Sequence, residues 1–236
     1  MDKREIICQN FKHVKNVMYQ ACIRYHREPS DVQLLAASKR TDAEGIQMAY
    51  QEGHRIFGEN RAQSLRDKYD VLKDICPDIE WHFIGHLQKN KVKYIVGRAH
   101  TLQSLDSLEL AQTLCEKIQE LRNTTKEIPQ LRVMVQVKMG DEDSKTGISA
   151  DQVLDFCTKI HNEFPELQLC GLMMIPPLYG EAATWFQQLR QIALKGKAQG
   201  LPLDELSMGM SGDLEEAISQ GSTMIRVGTA LFEGTS

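Results

Sequence analysis

Short apolar segments alternate along this chain with longer amphipathic ones. The apolar segments run for four to nine residues, and most are bounded by polar residues or glycine. Such runs predict buried strands, because a strand inside a parallel sheet is covered on both faces. The predicted strands are QLLAAS (33–38), RIFG (55–58), EWHFIG (80–85), HTLQSL (100–105), LRVMVQVKM (131–139), LQLCGLMMI (167–175), DELSMG (204–209) and STMIRVG (222–228).

The amphipathic segments repeat their apolar residues at spacings of three to four, which predicts helices. Thr41 and Glu44 fit a capping box at the start of one helix, and Ser149 with Gln152 fits another. The predicted helices cover roughly 3–26, 41–53, 60–75, 89–97, 107–122, 150–162, 181–198 and 212–221, with a short terminal one in TALFEGTS (229–236).

Strand and helix therefore alternate about eight times, after one helix that precedes the first strand. Strands that alternate with helices in this way form parallel sheets, and about eight such units suit a closed barrel rather than an open sheet. The length of 236 residues is ordinary for one α/β barrel. We predict an α/β fold: a single (β/α)8 TIM barrel over residues 1–236, with an extra N-terminal helix.

The composition is that of a globular protein with a slightly acidic balance. Apolar residues make up 42% and charged residues 25%, and the formal net charge is −4. A nucleic-acid-binding domain usually has a basic excess, so specific nucleic-acid binding is not expected. The basic cluster KNKVK (89–93) is interpreted as a solvated helix face, with RNA or protein binding as the weaker alternative.

Cysteine usage and the N-terminal segment indicate the compartment. The six cysteines are widely scattered with no CxxC pair, which predicts reduced thiols in a cytosol-like environment. MDKREIICQNFKHVKN has no signal-peptide core, and no apolar run approaches the ~20 residues that span a bilayer. We expect a cytoplasmic protein without membrane contact.

A lysine, Lys39, stands at the end of the first predicted strand, where barrels carry their functional groups. A lysine buried there would lose hydration, which lowers its ammonium pKa and makes the amine nucleophilic. That is the group required to form an imine with a carbonyl compound. The competing interpretation is a surface lysine whose stem lies along the strand end.

Small residues follow the last two strands, in SMGMSGD and RVGTALF. Barrels frequently hold a phosphate between the loops after strands seven and eight and a short extra helix. Gly209, Ser211, Gly212, Gly228 and Thr229 could let backbone N–H groups approach such an anion, although glycines also serve tight turns. With a nucleophilic lysine, these loops suggest a phosphorylated aldehyde, and pyridoxal 5′-phosphate (PLP) is the obvious candidate.

Arg226 lies inside the apolar run STMIRVG, so its side chain is expected inside the barrel. A guanidinium only donates hydrogen bonds. If it faces the pyridine nitrogen of PLP, that nitrogen stays unprotonated and the ring is a poor electron sink. The alternative is a buried ion pair with Glu205 or Asp213.

A metal site is not expected. His82 and His86 are four residues apart on a predicted strand, which separates them by over ~10 Å, too far for one ion.

Seven motifs in order give the chain a resemblance to a known family. They are ASK (37–39), FGEN (57–60), WHFIGHLQKNK (81–91), SKTGI (144–148), GLMMIP (171–176), SMGMSGD (207–213) and GSTMIRVGTALF (221–232). The chain resembles the YggS/PROSC family of pyridoxal phosphate homeostasis proteins almost from end to end. Lys138 departs from the family pattern, which often has asparagine there.

The resemblance implies a fold-type III PLP-binding barrel, similar to the N-terminal domain of alanine racemase. Lys39 would hold PLP as a Schiff base, and Arg226 would face the pyridine nitrogen. The phosphate would be held by Ser211, Gly228 and Thr229. Asn60 and His86 would line the pocket, and Met208 and Met210 would pack near the cofactor.

The resemblance also implies a function without established catalysis: buffering or delivery of PLP, with effects on amino-acid and keto-acid balance. Family members lack the second domain that supplies racemases with an opposing base, and this chain is expected to lack it too. PLP and PLP-dependent apoenzymes are the implied partners, with a monomer or weak homodimer expected. The alternative is a PLP-dependent amino-acid racemase, for which Tyr179 is a candidate second base.

Overall fold

A computed structural model of the chain describes residues 2–124, 128, 130–140 and 146–235. The strands are β1 (Gln33–Ala37), β2 (Ile56–Glu59), β3 (Glu80–Phe83), β4 (Thr101–Leu105), β5 (Leu131–Lys138), β6 (Ile148–Ser149), β7 (Leu167–Met173), β8 (Glu205–Ser207) and β9 (Met224–Val227). The helices are α1 (Lys3–Arg24), α2 (Ala43–Gln51), α3 (Ala62–Leu72), α4 (Leu108–Thr124), α5 (Val153–Glu163), α6 (Ala182–Ala198), α7 (Leu214–Ser219) and α8 (Thr229–Phe232).

The sheet closes on itself. Its strand order is β4-β3-β2-β1-β9-β8-β7-β5-β6, and β4 also pairs with β5, so eight strands form a ring. The strand pairs of this ring are parallel, and the two-residue β6 attaches to β5 outside it. The predicted (β/α)8 barrel with an N-terminal helix is confirmed.

The main core lies between the strands and the surrounding helices. The strand side chains that face the helices include Ala36, Phe57 and Val133, all fully buried. On α1, Ile7, Phe11, Val14 and Met18 recur at helical spacing and are buried. The helix packs this face toward α2, α7 and α8, which attaches it to the side of the barrel.

The barrel interior is a second, smaller core and is partly polar. Two apolar clusters lie there, one around Leu35, Ala37 and Met224 and one of Met134, Cys170 and Met173. Buried polar side chains accompany them inside the sheet, and these are His82, Gln103, Ser207 and Arg226. The interior therefore contains fixed hydrogen-bonding groups as well as apolar filling.

The strands end earlier than the apolar runs predict. The run 167–175 ends as a strand at Met173, and the run 204–209 contains only Glu205–Ser207. The residues that follow continue as loops over the carboxyl end of the barrel. In a closed barrel this end carries the functional loops. Met174 and Met208, the first residues after the two strands, are fully buried in the main core.

Several helix boundaries also differ from the sequence-based predictions. The N-cap of α2 is Asp42 rather than Thr41, because the Asp42 carboxylate accepts a hydrogen bond from Gly45 N at 2.9 Å. No side-chain capping bond is found at Gln152, where α5 begins. KNKVK forms a 3₁₀ helix, Lys89–Tyr94, rather than an α-helix. In the part of the chain that the structure describes, no helix combines the length and apolarity needed to cross a bilayer.

Candidate functional site

A cavity of about 460 Å³ opens at the carboxyl end of the barrel. Ligand pockets in proteins span ~300–1,000 Å³, so it has room for a small molecule. Eight of the nine predicted site residues line it: Lys39, Asn60, His86, Met210, Ser211, Arg226, Gly228 and Thr229. The ninth, Met208, is fully buried in the main core and is not among the cavity-lining residues.

Lys39 lies in a tight turn directly after β1. Ser38 N donates to Gly58 O at 2.9 Å, and Thr41 N donates to Ser38 O at 3.1 Å, which closes the turn over Lys39. Lys39 itself is exposed, which agrees with the interpretation of a surface lysine at the strand end and not with a buried amine. The strand ends at Ala37, and the turn carries the lysine out to the rim, where its side chain reaches both cavity and solvent.

A buried ion pair supports the base of this turn. Lys68 Nζ lies 2.5 Å from Glu59 Oε1 and donates to Ser38 O at 2.7 Å. Ser38 Oγ donates to the same Glu59 oxygen at 2.7 Å. The side chains of Glu59 and Lys68 are 1% and 15% exposed. Sequence analysis missed this cluster, although Glu59 in FGEN lies at a strand end.

Arg226 lies on the inner wall of the barrel, as predicted, and its side chain is fixed. Nη1 donates to Ser207 Oγ at 2.8 Å, and Nη2 donates to Met174 O at 2.9 Å. Burial lowers the pKa of Arg226 to about 10, and Asp213 acts in the opposite direction. The guanidinium is therefore protonated at neutral pH.

The sequence offered Glu205 and Asp213 as ion-pair partners for Arg226, and the structure gives them different roles. Glu205 forms its ion pair with Arg132. Asp213 influences Arg226 electrostatically, and burial raises the pKa of the Asp213 carboxyl. The hydrogen-bond partners of Arg226 are instead a hydroxyl and a carbonyl, neither of which carries a charge.

The loop after β8 is closed by reciprocal hydrogen bonds at its base. Met210 N donates to the Asp213 carboxylate at 2.6 Å, and Asp213 N donates to Met210 O at 3.2 Å. Ser211 and Gly212 form the exposed tip of this loop and line the cavity. A side chain added at Gly212 would meet nothing within 4 Å, so the tip offers open space beside the Ser211 hydroxyl.

The loop after β9 brings Gly228 and Thr229 to the same cavity wall. A Cβ at Gly228 would lie 3.1 Å from Ala37 O, so the absence of a side chain lets β9 approach β1 closely. Gly209, which the sequence grouped with these residues, has a turn role. Its φ is +97°, and a Cβ there would lie 2.5 Å from Ala217 Cβ.

Asn60 and His86 follow β2 and β3 and line the cavity from the other side of β1 than the β8 and β9 loops. A Cβ at Gly85 would lie 2.1 Å from Asn60 O, so glycine is required for this close backbone approach. His86 Nδ1 lies 3.2 Å from Asp106 Oδ2 at the rim. Burial raises the pKa of the Asp106 carboxyl, and His86 opposes this shift.

Other candidates lie away from the cavity wall. His82 Nδ1 bonds to Gln103 Nε2 at 2.8 Å inside the barrel. No cluster of metal-ligating side chains exists among the residues described.

The Tyr179 ring contacts Trp185 edge-on, and neither residue is among the described cavity-lining residues. Of the loop DEDSKTG, residues 141–145 lie outside the described part of the chain, while Thr146 lines the cavity.

Comparisons with known proteins agree with this geometry. A family model described as the alanine racemase N-terminal domain matches residues 20–236. The pyridoxal phosphate homeostasis protein of Pasteurella multocida is 38% identical over 229 residues, covering 95% of this chain and 95% of that protein. The Aquifex aeolicus protein of the same name is 36% identical over 229 residues, covering 95% of this chain and 96% of its own length.

Solved structures give the same result. PipY of Synechococcus elongatus, solved with PLP bound, is 35% identical with a TM-score of 0.79, covering 96% of this chain and 99% of PipY. Alanine racemase of Corynebacterium glutamicum is 15% identical with a TM-score of 0.68, covering 98% of this chain and 61% of the racemase, and shares only the fold. The chain belongs to the alanine racemase N-terminal domain family and, within it, to the pyridoxal phosphate homeostasis proteins.

Proposed function

We propose that this protein binds PLP in the cavity at the barrel mouth, attached to Lys39, and buffers or delivers the cofactor without turning over a substrate. The observation that carries the proposal is one cavity lined by an amine, three hydroxyls and a buried guanidinium. The relatives' names and the PLP-bound PipY structure support the same ligand.

The chemistry of the lining side chains fits each part of PLP. The Lys39 amine is the group that condenses with an aldehyde. Hydroxyls of Ser211 and Thr229 and the backbone beside Gly228 suit an anionic phosphate, since hydrogen bonds to charged acceptors are the stronger kind. Arg226, fixed at the inner wall, suits the unprotonated pyridine nitrogen, which accepts a hydrogen bond.

Arg226 also favours binding over catalysis. PLP catalyses amino-acid reactions by withdrawing electrons into its ring. Electron withdrawal is strongest when the pyridine nitrogen is protonated. A guanidinium that is protonated at neutral pH donates to that nitrogen and supplies no proton to it, so the ring withdraws electrons weakly.

The exposure of Lys39 suits loading and release. An amine at the rim can be reached by free PLP, and by the active site of an apoenzyme, without opening of the barrel. Transfer to PLP-dependent apoenzymes would then begin at the rim residues Lys39, Asn60 and His86.

A spectroscopic titration tests this function. Purified protein titrated with PLP should develop a visible absorbance band with one equivalent bound per chain. Incubation of the loaded protein with single L-amino acids should leave both amino acid and cofactor unchanged. No saturable band, or saturation at an unrelated stoichiometry, would refute cofactor binding.

One observation favours the alternative of a racemase. His86 and Asp106 form a hydrogen-bonded pair at the rim of the Lys39 cavity, and histidine is the side chain that most often serves as a general acid or base in enzymes. Racemisation requires proton transfer at two faces, so His86 would have to act opposite Lys39. Formation of D-alanine from L-alanine by the wild type, and its loss in His86→Asn, would establish this activity in place of a carrier role.

A further inference from the structure

A chain of buried hydrogen bonds runs from Arg226 across the inside of the barrel. Arg226 Nη1 donates to Ser207 Oγ at 2.8 Å, and Ser207 Oγ lies 2.6 Å from Gln103 Oε1. Gln103 Nε2 lies 2.8 Å from His82 Nδ1. Ser207 is on β8 and Gln103 on β4, so the chain joins strands that are not neighbours in the sheet.

Elementary donor and acceptor chemistry gives this chain one direction. Arg226 can only donate, so Ser207 accepts from it and must send its single hydroxyl proton elsewhere. Gln103 Oε1, at 2.6 Å, is the acceptor in position. The amide oxygen of Gln103 therefore faces Ser207, and its NH₂ group faces the other way.

The surroundings of the Gln103 amide group support the same orientation. Its nitrogen lies 2.8 Å from His82 Nδ1 and 3.0 Å from Met224 Sδ. A thioether sulfur is an acceptor only, so it suits an N–H group and does not suit an oxygen. With the NH₂ group donating to Nδ1, His82 must be neutral and carry its proton on Nε2.

We propose that Ser207, Gln103 and His82 are positioning residues that hold the Arg226 guanidinium in one orientation, through a one-way hydrogen-bond chain from Arg226 to the Nε2–H tautomer of His82. All four side chains are 5% exposed or less, so water does not compete for these bonds. Two of the five N–H groups of Arg226 are committed, to Ser207 and to Met174 O. Three N–H groups remain on the guanidinium, and Arg226 lines the cavity.

This inference extends the proposed function. It rests on that function in one respect, which is that Arg226 contacts the ring of bound PLP. The tautomer of His82 does not depend on the cofactor. Burial lowers the pKa of His82 to about 3, which agrees with a neutral ring. The Nε2 atom is buried and has no partner in the described residues, so in this tautomer its N–H is left without an acceptor there.

The first test measures the His82 tautomer by ¹⁵N-resolved NMR in PLP-free wild-type protein. The expected result is an unprotonated Nδ1 and a protonated Nε2, unchanged over the pH 5 to 8 range in which ordinary histidines titrate. A protonated Nδ1 would overturn the direction of the chain. Gln103→Glu should reverse the tautomer, because a carboxylate accepts from both Ser207 and His82.

The second test compares Ser207→Ala with the control Ser222→Ala. Both serines are fully buried, and Ser222 Oγ bonds only to backbone atoms, donating to Met208 O at 2.7 Å. Ser207→Ala should raise the PLP dissociation constant roughly three- to tenfold and shift the absorbance of bound PLP, since Arg226 loses its fixed partner. Ser222→Ala should change neither. Equal behaviour of the two variants, in a protein whose wild type binds PLP, would overturn the positioning role.

The two tests distinguish a failure of this inference from a failure of the proposed PLP-binding function. Failure of the wild type to bind PLP would refute the function, while the His82 tautomer would still decide the direction of the chain. If Ser207→Ala does not fold, the Gln103→Glu tautomer reversal provides the deciding result.

Discussion

Lys39 and Arg226 line the same cavity but stand in opposite environments. Lys39 is exposed in a turn beyond the end of β1, whereas Arg226 is 5% exposed on β9 and bonded to Ser207 and Met174 O. The difference separates two tasks. In the proposed function, the accessible amine would serve capture and release of the cofactor, and the fixed guanidinium would set how the ring is held.

The support beneath the two groups differs in the same way. Below Lys39, the buried pair Glu59–Lys68 holds the backbone of Ser38, and this support does not involve the Lys39 side chain. Behind Arg226, hydrogen bonds fix the side chain directly. The following predictions test this contrast, beginning with the largest effect.

Replacement of the exposed amine should abolish covalent capture. Lys39→Ala should remove the visible absorbance band and leave PLP to bind only through its phosphate and ring. The control Lys138→Ala removes an amine from the end of β5 and should retain the band. Absorbance titration measures both, and a band of wild-type intensity in Lys39→Ala would exclude Lys39 as the attachment site.

Disruption of the ion pair under the turn should cost stability. Lys68→Met leaves the Glu59 carboxylate, 1% exposed, without its cation, which should lower the free energy of unfolding by about 3 kcal/mol. The control Lys117→Met breaks an i,i+3 pair in which Glu120 is 65% exposed, where less than about 1 kcal/mol is expected. Urea denaturation measures both variants. Equal losses in the free energy of unfolding would show that burial of the Glu59–Lys68 pair adds nothing to stability.

Acid should lower the stability of the folded protein through His82, which belongs to the hydrogen-bond chain behind Arg226. Desolvation, followed by Arg132 and His100, lowers the pKa of His82 from 6.5 to about 3 in the folded protein. Between these values the unfolded chain binds one more proton than the folded one. Stability conferred by the neutral ring is present above pH 6.5 and is lost as pH falls, at up to about 1.4 kcal/mol per pH unit.

Urea denaturation at a series of pH values measures that slope. His82→Gln should flatten the wild-type dependence between pH 6.5 and pH 4, because glutamine does not titrate. An unaltered slope in the variant would assign the acid sensitivity to other groups, such as His54, whose pKa burial lowers to about 4.

Removal of one hydroxyl from the loop proposed to bind the PLP phosphate should give the smallest change in affinity. Ser211→Ala should weaken PLP binding about tenfold, the value of one hydrogen bond to a charged group, and leave binding of unphosphorylated pyridoxal unchanged. Ser219→Ala, on α7 with its hydroxyl on Glu216 O, is the control. Equal weakening for both ligands would place the phosphate elsewhere.

Much of the barrel could be predicted from the sequence because its signals are local. Apolar runs such as LRVMVQVKM and the small residues after β8 and β9 lie in contiguous segments, and the barrel topology brings their ends to one rim. Lys39, Ser211 and Thr229 were therefore identified as candidates without a structure, and their binding roles stay predictions.

The contacts that hold the site could not be predicted, because they join distant parts of the chain. Ser38 meets Glu59 across 21 positions, and Gln103 meets Ser207 across 104. The sequence left open whether Lys39 is buried or at the surface, because the direction of its side chain depends on the turn that follows β1. The α2 cap was missed because Thr41 and Asp42 are both good caps and only local geometry selects Asp42.

Peptide mapping after borohydride reduction tests the central claim most directly. PLP-loaded protein is reduced, digested and analysed by mass spectrometry to find the modified lysine. One phosphopyridoxyl group per chain is expected, on Lys39. Modification of Lys138, or a distribution over many exposed lysines with Lys39 unmodified, would contradict it.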